Sequence, residues 1–205
     1  TLFPYTTLFR SNRVKEVSPR TLNLELAYFR AVFNELNRLG EWKGENPLKN
    51  MRPFRTEEME MAWLTHDQIS LLLGECKRHD HPDLEVVVRI CLATGARWSE
   101  AESLKKSQLA KYKITYTNTK GRKNRTVPIS KELFESLPRD KKGRLFSDCY
   151  GAFRSALERT GIELPAGQLT HVLRHTFASH FMMNGGNILV LQRVLGHTDI
   201  KMTMR

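Results

Sequence analysis

The chain has 205 residues, a formal net charge of +11 and a sequence pI of about 9.8. Hydrophobic residues make up 40% of it, which excludes a disordered chain and allows a sizeable core. The charge is uneven, because residues 1–62 contain 10 Lys and Arg against 8 Asp and Glu, whereas residues 63–205 contain 23 against 14. The positive excess predicts a polyanionic partner, bound mainly by the second portion.

The cysteines and apolar runs predict a protein of the reducing cytoplasm. Cys76, Cys91 and Cys149 are odd in number and lack the spacing of a zinc site or a disulfide framework. No apolar run approaches the length of a membrane span, and no signal peptide is visible, so no membrane partner is expected. The sequence lacks an initiator Met, which predicts a fragment. Residues 1–18, whose opening TLFPYTTLFRS shows no periodicity, are expected to be non-native or unassigned.

The first predicted helix covers residues 21–39. Its apolar residues recur at helical spacing, Thr21 is a suitable N-cap, and Gly40 is a suitable stop signal. One amphipathic helix cannot bury its own apolar face, so residues 19–45 are expected to be the C-terminal part of a helical domain. The polar, proline-containing stretch that follows predicts a linker over residues 46–62.

The second unit, residues 63–205, is predicted to be mainly α with one small β-hairpin, an α+β fold. Thr65 and Gln68 have the spacing of a capping box, and a later helix is expected to end at Gly95. Between residues 113 and 129, two β-rich runs flank a glycine and predict the hairpin. Further helix signals follow at Ser99, Ser130–Leu137, Gly151–Thr160, His171–Met183, Asn187–Leu195 and Asp199.

Arg97 lies at a predicted junction between two helices, in the sequence ATGARWSEAESL. At such a junction its side chain can point into a cleft, where the planar guanidinium suits phosphate oxygens. Glu100 lies within reach to orient the guanidinium. The alternative is a structural ion pair between Arg97 and Glu100, and the two residues taken alone favour that alternative.

The predicted hairpin is strongly basic. Residues 111–125 contain six cations and no acidic residue. A charged two-stranded tip can lie against a DNA groove, and a lysine there can protonate a leaving oxygen if its pKa is lowered. A charged, solvent-exposed turn is the alternative. The candidate DNA contacts are Lys120, Arg122, Lys123 and Arg125.

A third group of cations follows near the end of the sequence. His171 and Arg174 are three residues apart and share one face of a predicted helix. Thr170 is expected to cap this helix, so that its partially positive N-terminus lies beside the same site. His197 follows Gly196 at a turn, where a ring N–H can donate to a phosphoryl oxygen. Together with Arg97, these cations from separate segments predict a phosphate-binding site.

Two other interpretations of the histidines are open. His171 and His175 have the i, i+4 spacing of metal ligands, but the glutamate of a HExxH motif is absent and no third ligand is evident. His175 and His180 fit better as core histidines with satisfied hydrogen bonds. For His171 and His197 the functional interpretation is favoured, but only in combination with the arginines.

The ordered motifs GARWSE, NTKGRKNRTVPIS, LTHVLRHTFASHF and LGHTDIKMTMR closely resemble the catalytic domain of tyrosine site-specific recombinases, particularly integrases of temperate bacteriophages. The resemblance covers about residues 63–205 and implies the catalytic-domain fold of that family. Residues 19–45 resemble the end of the family's helical core-binding domain.

The resemblance assigns a role to each motif residue. Arg97 and Arg174 resemble the two arginines that clamp the scissile phosphate. Lys120 resembles the hairpin lysine that acts as general acid, His171 the HxxR histidine with an acid/base or positioning role, and His197 the LGH histidine that helps to stabilise the transition state. The implied reaction passes through a 3′-phosphotyrosyl intermediate and needs no ATP, metal ion or other cofactor.

The resemblance also implies partners and a nucleophile. The expected partners are double-stranded attachment-site DNA, a tetramer on that DNA, and accessory DNA-bending or directionality proteins at the nucleoid of a bacterial host. The family's tyrosine would lie nine residues after His197, at position 206, so the sequence as it stands is expected to bind DNA without cutting it. A non-catalytic DNA-binding module, such as a prophage remnant, is the main alternative, and a metal-dependent nuclease is a further one.

Overall fold

A computed structural model describes residues 12–56, 60–117, 124–138 and 140–204. The chain divides into two compact units, residues 1–59 and residues 60–205. The described helices are α1 (Pro19–Leu39), α2 (His66–Arg78), α3 (Leu84–Thr94), α4 (Trp98–Glu102), α5 (Lys131–Ser136), α6 (Tyr150–Thr160), α7 (His171–Met183) and α8 (Ile188–Leu195), with short 3₁₀ turns at Lys106–Gln108 and Ile200–Met202. None of these helices is long and apolar enough to cross a membrane.

The N-cap of α1 is Ser18. Its hydroxyl accepts a hydrogen bond from the backbone N–H of Thr21 at 3.2 Å, and Pro19 fits the first turn because no intrahelical N–H is needed there. The prediction of Thr21 as the cap was therefore wrong by three residues. The helix ends as predicted at Gly40, whose φ of 77° is left-handed.

The segment 46–54 lies against α1. The Asn23 side chain exchanges two hydrogen bonds with the backbone of Phe54, at 2.9 and 2.7 Å. Arg30 donates to the carbonyl of Leu48 at 2.9 Å, and the Leu48 side chain is buried. This part of the predicted linker therefore belongs to the first unit.

Helix α3 is the centre of the second unit and packs against α2, α4, α5 and α7. Its residues Leu84, Val87, Val88, Ile90 and Cys91 are at most 1% exposed. A helix that is apolar on most of its surface is stable only when other elements cover it, which explains its central place. The three cysteines are all buried free thiols, as expected for core residues outside a disulfide framework.

Local signals set the starts of two neighbouring helices. The predicted capping box of α2 is confirmed, since Gln68 N–H donates to Thr65 Oγ1 at 3.3 Å and Thr65 N–H donates to Gln68 Oε1 at 2.9 Å. Ser99 was predicted to cap the short helix, but Arg97 occupies the N-cap of α4. Its backbone N–H donates to the carboxylate of Glu100 at 2.9 Å.

A three-stranded antiparallel sheet has the order β1 (Leu109–Ala110), β2 (Lys113–Tyr116) and β3 (Arg125–Pro128). The predicted hairpin strands are confirmed, whereas β1, two residues long, was not predicted. In the β2–β3 register, Ile114 faces Val127 and Tyr116 faces Arg125, and these four side chains lie on the buried face. The predicted turn at Gly121 lies outside the described residues.

Two glycines that end helices allow a matched test of packing. Gly95 follows α3 with φ 63°, and a Cβ there would lie 2.5 Å from Phe177 Cδ1 and 2.7 Å from Leu195 Cδ2. Gly161 follows α6 with φ 68°, and nothing lies within 4 Å of its Cβ position. We expect Gly95→Ala to lower the free energy of unfolding by about 2–4 kcal/mol and Gly161→Ala by only about 1 kcal/mol, because the first adds overpacking to backbone strain. Urea unfolding measures the free energy of unfolding of both variants. Equal decreases in the two variants would contradict the close approach at Gly95.

Candidate phosphate-binding site

The turn after α3 fixes the position of Arg97. Gly95 lets the chain leave the helix in the left-handed conformation. The hydroxyls of Thr94 and Tyr116 share a hydrogen bond of 2.9 Å, and the Thr94 oxygen also accepts from Ala96 N–H at 3.3 Å. The polar groups of this buried turn are thus paired. The side chain of Arg97, at the start of α4, is 28% exposed and reaches the surface of the site.

Arg174 joins the C-terminal ends of two helices. It lies on the first turn of α7 and is 6% exposed. Its Nη1 donates to the carbonyl of Gly95, just after α3, and its Nη2 donates to the carbonyl of Leu195, at the end of α8, both at 2.7 Å. Carbonyls at helix C-termini carry partial negative charge, so they stabilise a buried cation.

The charges around Arg174 leave the site electropositive. Burial is the main cause that lowers the pKa of Arg174, to about 9, and the nearby charges of Arg97 and Arg125 lower it further. The guanidinium remains a cation at neutral pH. Within the described part of the chain, its hydrogen bonds use three of its five N–H groups, so Nε and one N–H of Nη1 are the donors available to an anion.

His197 is held in one tautomer by its neighbours. Its Nε2 lies 2.9 Å from Arg174 Nη2, which can only donate, so Nε2 accepts and Nδ1–H donates to Thr203 Oγ1 at 2.8 Å. Burial first, and then the charges of Arg174, Arg97 and Arg125, lower the pKa of His197 to about 4. Both ring nitrogens of His197 thus have protein partners, and the donation of a ring N–H to a phosphoryl oxygen stays a prediction.

Glu100 lies between two arginines. Its Oε1 accepts from Arg97 Nη1 at 3.1 Å and from Arg125 Nη1 at 3.2 Å, and its Oε2 accepts from Arg125 Nη2 at 2.5 Å. Burial on its own would raise the pKa of Glu100, but the hydrogen bonds from Arg125 and from the Arg97 backbone outweigh it and lower the pKa to about 2. The predicted contact between Glu100 and Arg97 is present.

The structure corrects the role predicted for Arg125. This side chain was expected to contact DNA, but it is 5% exposed and paired with Glu100. Its guanidinium carbon lies 4.5 Å above the centre of the Tyr116 ring. Since Arg125 and Tyr116 occupy facing positions on the buried side of the sheet, the side chain points away from solvent.

His171 is exposed at the first position of α7, with its ring stacked on that of His175 at a centroid distance of 6.3 Å. Thr170 is the N-cap residue, as predicted, but its side chain makes no capping hydrogen bond. The carbonyl of Gln168 accepts from Val172 N–H at 2.8 Å. His171 thus lies on the same helix as the buried Arg174, but at the solvent-exposed N-terminus of that helix.

The remaining hairpin residues of the sequence prediction lie outside the described residues. These are Lys120, Arg122 and Lys123. The last described pair between β2 and β3 is Tyr116 with Arg125.

His175 and His180, the two histidines that were predicted to be core residues, differ in their hydrogen bonding. His180 is satisfied as predicted, because its Nε2 bonds with the Leu64 carbonyl at 2.8 Å and its ring packs edge-on against Trp63. His175 hydrogen-bonds with the backbone of Ala62, but its Nδ1 is buried without a partner among the described residues, and burial is the main cause that lowers its pKa. Residues 12–56, 60–117, 124–138 and 140–204 contain no group of three His, Cys, Asp or Glu placed to hold a metal ion.

Sequence analysis missed the side chains that hold α7 to the start of the second unit. Gln168 is buried, accepts from Ala62 N–H at 2.8 Å and donates to the Glu60 carbonyl at 2.8 Å. Thr176 accepts from Leu64 N–H at 2.9 Å. No local pattern marks these residues, because each satisfies a backbone group more than 100 positions away in the chain. They fix the helix that carries the buried arginine.

Known protein families match both units. The model described as "Phage integrase family" matches residues 62–205, and the model described as "Phage integrase, N-terminal domain" matches residues 5–55. The second match begins inside the stretch that the sequence prediction left unassigned.

Individual proteins agree with the family matches. The integrase of Escherichia phage 186 is 96% identical over 196 residues, which cover 96% of this chain and 58% of that protein. The chain thus spans less than two thirds of this relative. The catalytic domain of bacteriophage HP1 integrase is 66% identical with a TM-score of 0.69, covering 71% of this chain and 86% of that domain. The Tn1549 transposon integrase, solved with transposon right end DNA, is 21% identical with a TM-score of 0.78, covering 94% of this chain and 76% of that chain, and shares the fold.

The tautomer of His197 gives a direct pH test. We expect its imidazole NMR signals to titrate near pH 4 in the folded chain and near 6.5 in the urea-unfolded chain. Because the folded pKa is the lower one, its contribution to stability is complete above about pH 6.5 and is lost as the pH falls towards 4. His197→Gln assigns the signals and should remove this part of the pH dependence. Titration of the folded ring near 6.5 would show that Arg174 does not occupy Nε2.

Proposed function

The chain belongs to the phage integrase family of tyrosine recombinases, and on this premise we propose that it binds the scissile phosphodiester of DNA during site-specific recombination. One observation carries the proposal: Arg97, Arg174 and His197, from three separate segments, converge around the end of α3. Glu100 is the only carboxylate bonded to these cations in the described residues, so a phosphate would supply the missing negative charge.

In the proposed reaction, a tyrosine oxygen attacks the phosphorus in line, forms a 3′-phosphotyrosyl ester and releases a 5′-hydroxyl. The bond energy is kept in the ester, so rejoining to another 5′-hydroxyl needs no ATP. Negative charge on the non-bridging oxygens of the transition state is stabilised by N–H donors of Arg97 and Arg174. Both guanidiniums are already held by hydrogen bonds, so little reorganisation is needed at the moment of reaction.

Proton transfer is assigned to other residues in this proposal. Lys120 is the general acid for the 5′-oxygen, and His171, exposed at the N-terminus of α7, is an acid/base or positioning group near the tyrosine. His197 is neutral and accepts from Arg174, so its first role is to orient that guanidinium.

The nucleophile of the proposal is a tyrosine at position 206, nine residues after His197 and beyond the printed sequence. Tyr116 is buried and shares a hydrogen bond with Thr94, and burial raises its pKa, so it is not a candidate.

The partners are proposed for a protein of the length of the phage 186 integrase, of which this chain spans 58%. Attachment-site DNA is the substrate, and residues 63–205, which contain most of the positive charge, are the catalytic domain. Residues 19–45 are the C-terminal part of a helical core-binding domain. A tetramer on DNA and accessory DNA-bending or directionality proteins complete the proposal, with a location at the bacterial nucleoid.

Arg174→Lys tests the phosphate role in the chain extended through position 206. Lysine keeps the charge but has a single nitrogen in place of the planar fork whose two Nη atoms reach the Gly95 and Leu195 carbonyls. We expect covalent-complex formation on a nicked attachment-site substrate to slow by about 10²–10³-fold. DNA affinity should fall much less, because most phosphate contacts remain. Denaturing gels measure the covalent complex.

Arg97→Lys is the second variant, because Arg174 also joins two helices and its replacement affects folding. Arg154→Lys, on an exposed face of α6, is the matched control and should cleave at the wild-type rate. If Arg174→Lys and Arg97→Lys both form the covalent complex at the wild-type rate, these two arginines do not stabilise the phosphate. A residue other than tyrosine at position 206, or no covalent complex from the extended wild type, would overturn the nucleophile assignment.

The hairpin contacts predict a change in the salt dependence of DNA binding. Replacing Arg122 and Lys123 by Gln should weaken binding of the 205-residue chain to all sequences and reduce the slope of log K against log salt by about 1–2. The control is Lys131→Gln with Arg154→Gln, which removes the same charge from exposed helices. Identical slopes in the hairpin variant and the wild type would show that these residues make no phosphate contacts.

A further inference from the structure

Arg125 is enclosed on three sides. The Tyr116 ring lies under its guanidinium, with 4.5 Å between the guanidinium carbon and the ring centroid. Both Nη atoms donate to the carboxylate of Glu100, at 3.2 and 2.5 Å. The backbone of Gly196 covers it so closely that a Cβ there would lie 3.3 Å from Arg125 Cδ. A buried arginine with this much support holds a fixed orientation.

Arg125 and Arg97 compete for the same carboxylate. Arg125 uses both oxygens of Glu100, whereas the Arg97 side chain makes one hydrogen bond to it, of 3.1 Å from Nη1. A bidentate pair is stronger than a single bond, so Arg125 is the main partner of Glu100. Without Arg125, the Arg97 side chain would be the only side-chain partner of Glu100 among the described residues, so this carboxylate would balance the charge of the cation nearest the surface of the site.

Arg125 also lies where three parts of the site meet. It is the first residue of β3, five positions after Lys120 in the sequence. Its carboxylate partner belongs to α4, which begins after Arg97, and the backbone above it leads into His197. The position of one side chain therefore links the hairpin, the exposed arginine and the turn that holds the histidine.

We propose that Arg125 is a positioning residue for the phosphate site. It occupies Glu100, so that the remaining donors of Arg97 stay available to a phosphate, and it fixes the base of the hairpin against the turn before His197. Arg125 does not itself touch the phosphate. The proposal rests on the proposed function of this chain in DNA cleavage.

Arg125→Met in the chain extended through position 206 tests the proposal. We expect covalent-complex formation on a nicked attachment-site substrate, measured at saturating protein and per folded molecule, to slow by about 10²-fold. Adding Glu100→Gln should recover about tenfold of that rate, because an amide forms no ion pair with Arg97. Fluorescence unfolding sets a temperature at which each variant is folded.

Arg125→Lys is the second variant, for use if the Met variant does not fold. It keeps the buried charge but makes only one strong bond to Glu100, so an intermediate loss of cleavage is expected. Arg159→Met is the matched control. It removes an ion pair to the partly buried Glu75 elsewhere in the same unit, and should lower the melting temperature without changing the cleavage rate per folded molecule.

The outcomes separate positioning from plain stability. If Glu100→Gln restores the melting temperature of Arg125→Met but not its cleavage rate, the loss does not come from Glu100 pairing with Arg97, and the proposal is wrong. Wild-type rates per folded molecule in Arg125→Met or Arg125→Lys would overturn the proposal. If the extended wild type forms no covalent complex, the proposed function fails, and the positioning role fails with it.

Discussion

The site depends on a buried guanidinium, that of Arg174, held between the ends of two helices. An unpaired charge at this depth would be strongly unfavourable, so the fold is acceptable only while the carbonyls of Gly95 and Leu195 face it. This requirement fixes α7 relative to α3 and α8, and it brings the turns that begin at Gly95 and at Gly196 to one place. Arg97 and His197 lie near each other because each follows one of those turns.

Charge balance gives this arrangement its chemical character. Three guanidiniums, those of Arg97, Arg125 and Arg174, surround the single carboxylate of Glu100, and burial together with mutual repulsion lowers the pKa of Arg174 to about 9. Cations held this close without an equal number of anions are typical of a site that binds an anion. The same excess keeps His197 neutral, so that it acts as an acceptor for Arg174.

Local sequence patterns predicted several helix ends and the strands, but they misplaced the N-caps predicted at Thr21 and Ser99 and did not reveal the tertiary contacts. The Thr65–Gln68 capping box, the Gly40 stop and the hairpin strands each depend on neighbours in the chain, and each is confirmed. The contacts of Gln168 depend on a segment more than 100 residues away and carry no local signal. Arg125 did carry a signal: it stands two residues before an apolar strand position, so the alternation of β3 places it on the inner face.

The two interpretations of Arg97 that the sequence left open are not alternatives. Its ion pair with Glu100 is real, yet it consists of one side-chain hydrogen bond, since the carboxylate also accepts from both Nη atoms of Arg125 and from the Arg97 backbone N–H. A weakly paired guanidinium is oriented without being neutralised. In the local sequence only Arg97 and Glu100 are close together. One cation and one anion balance each other, so the local sequence predicts a simple ion pair. The excess of positive charge becomes visible only when β3 brings a second arginine to the same carboxylate, and that excess supports the proposed role of Arg97 in binding a phosphate.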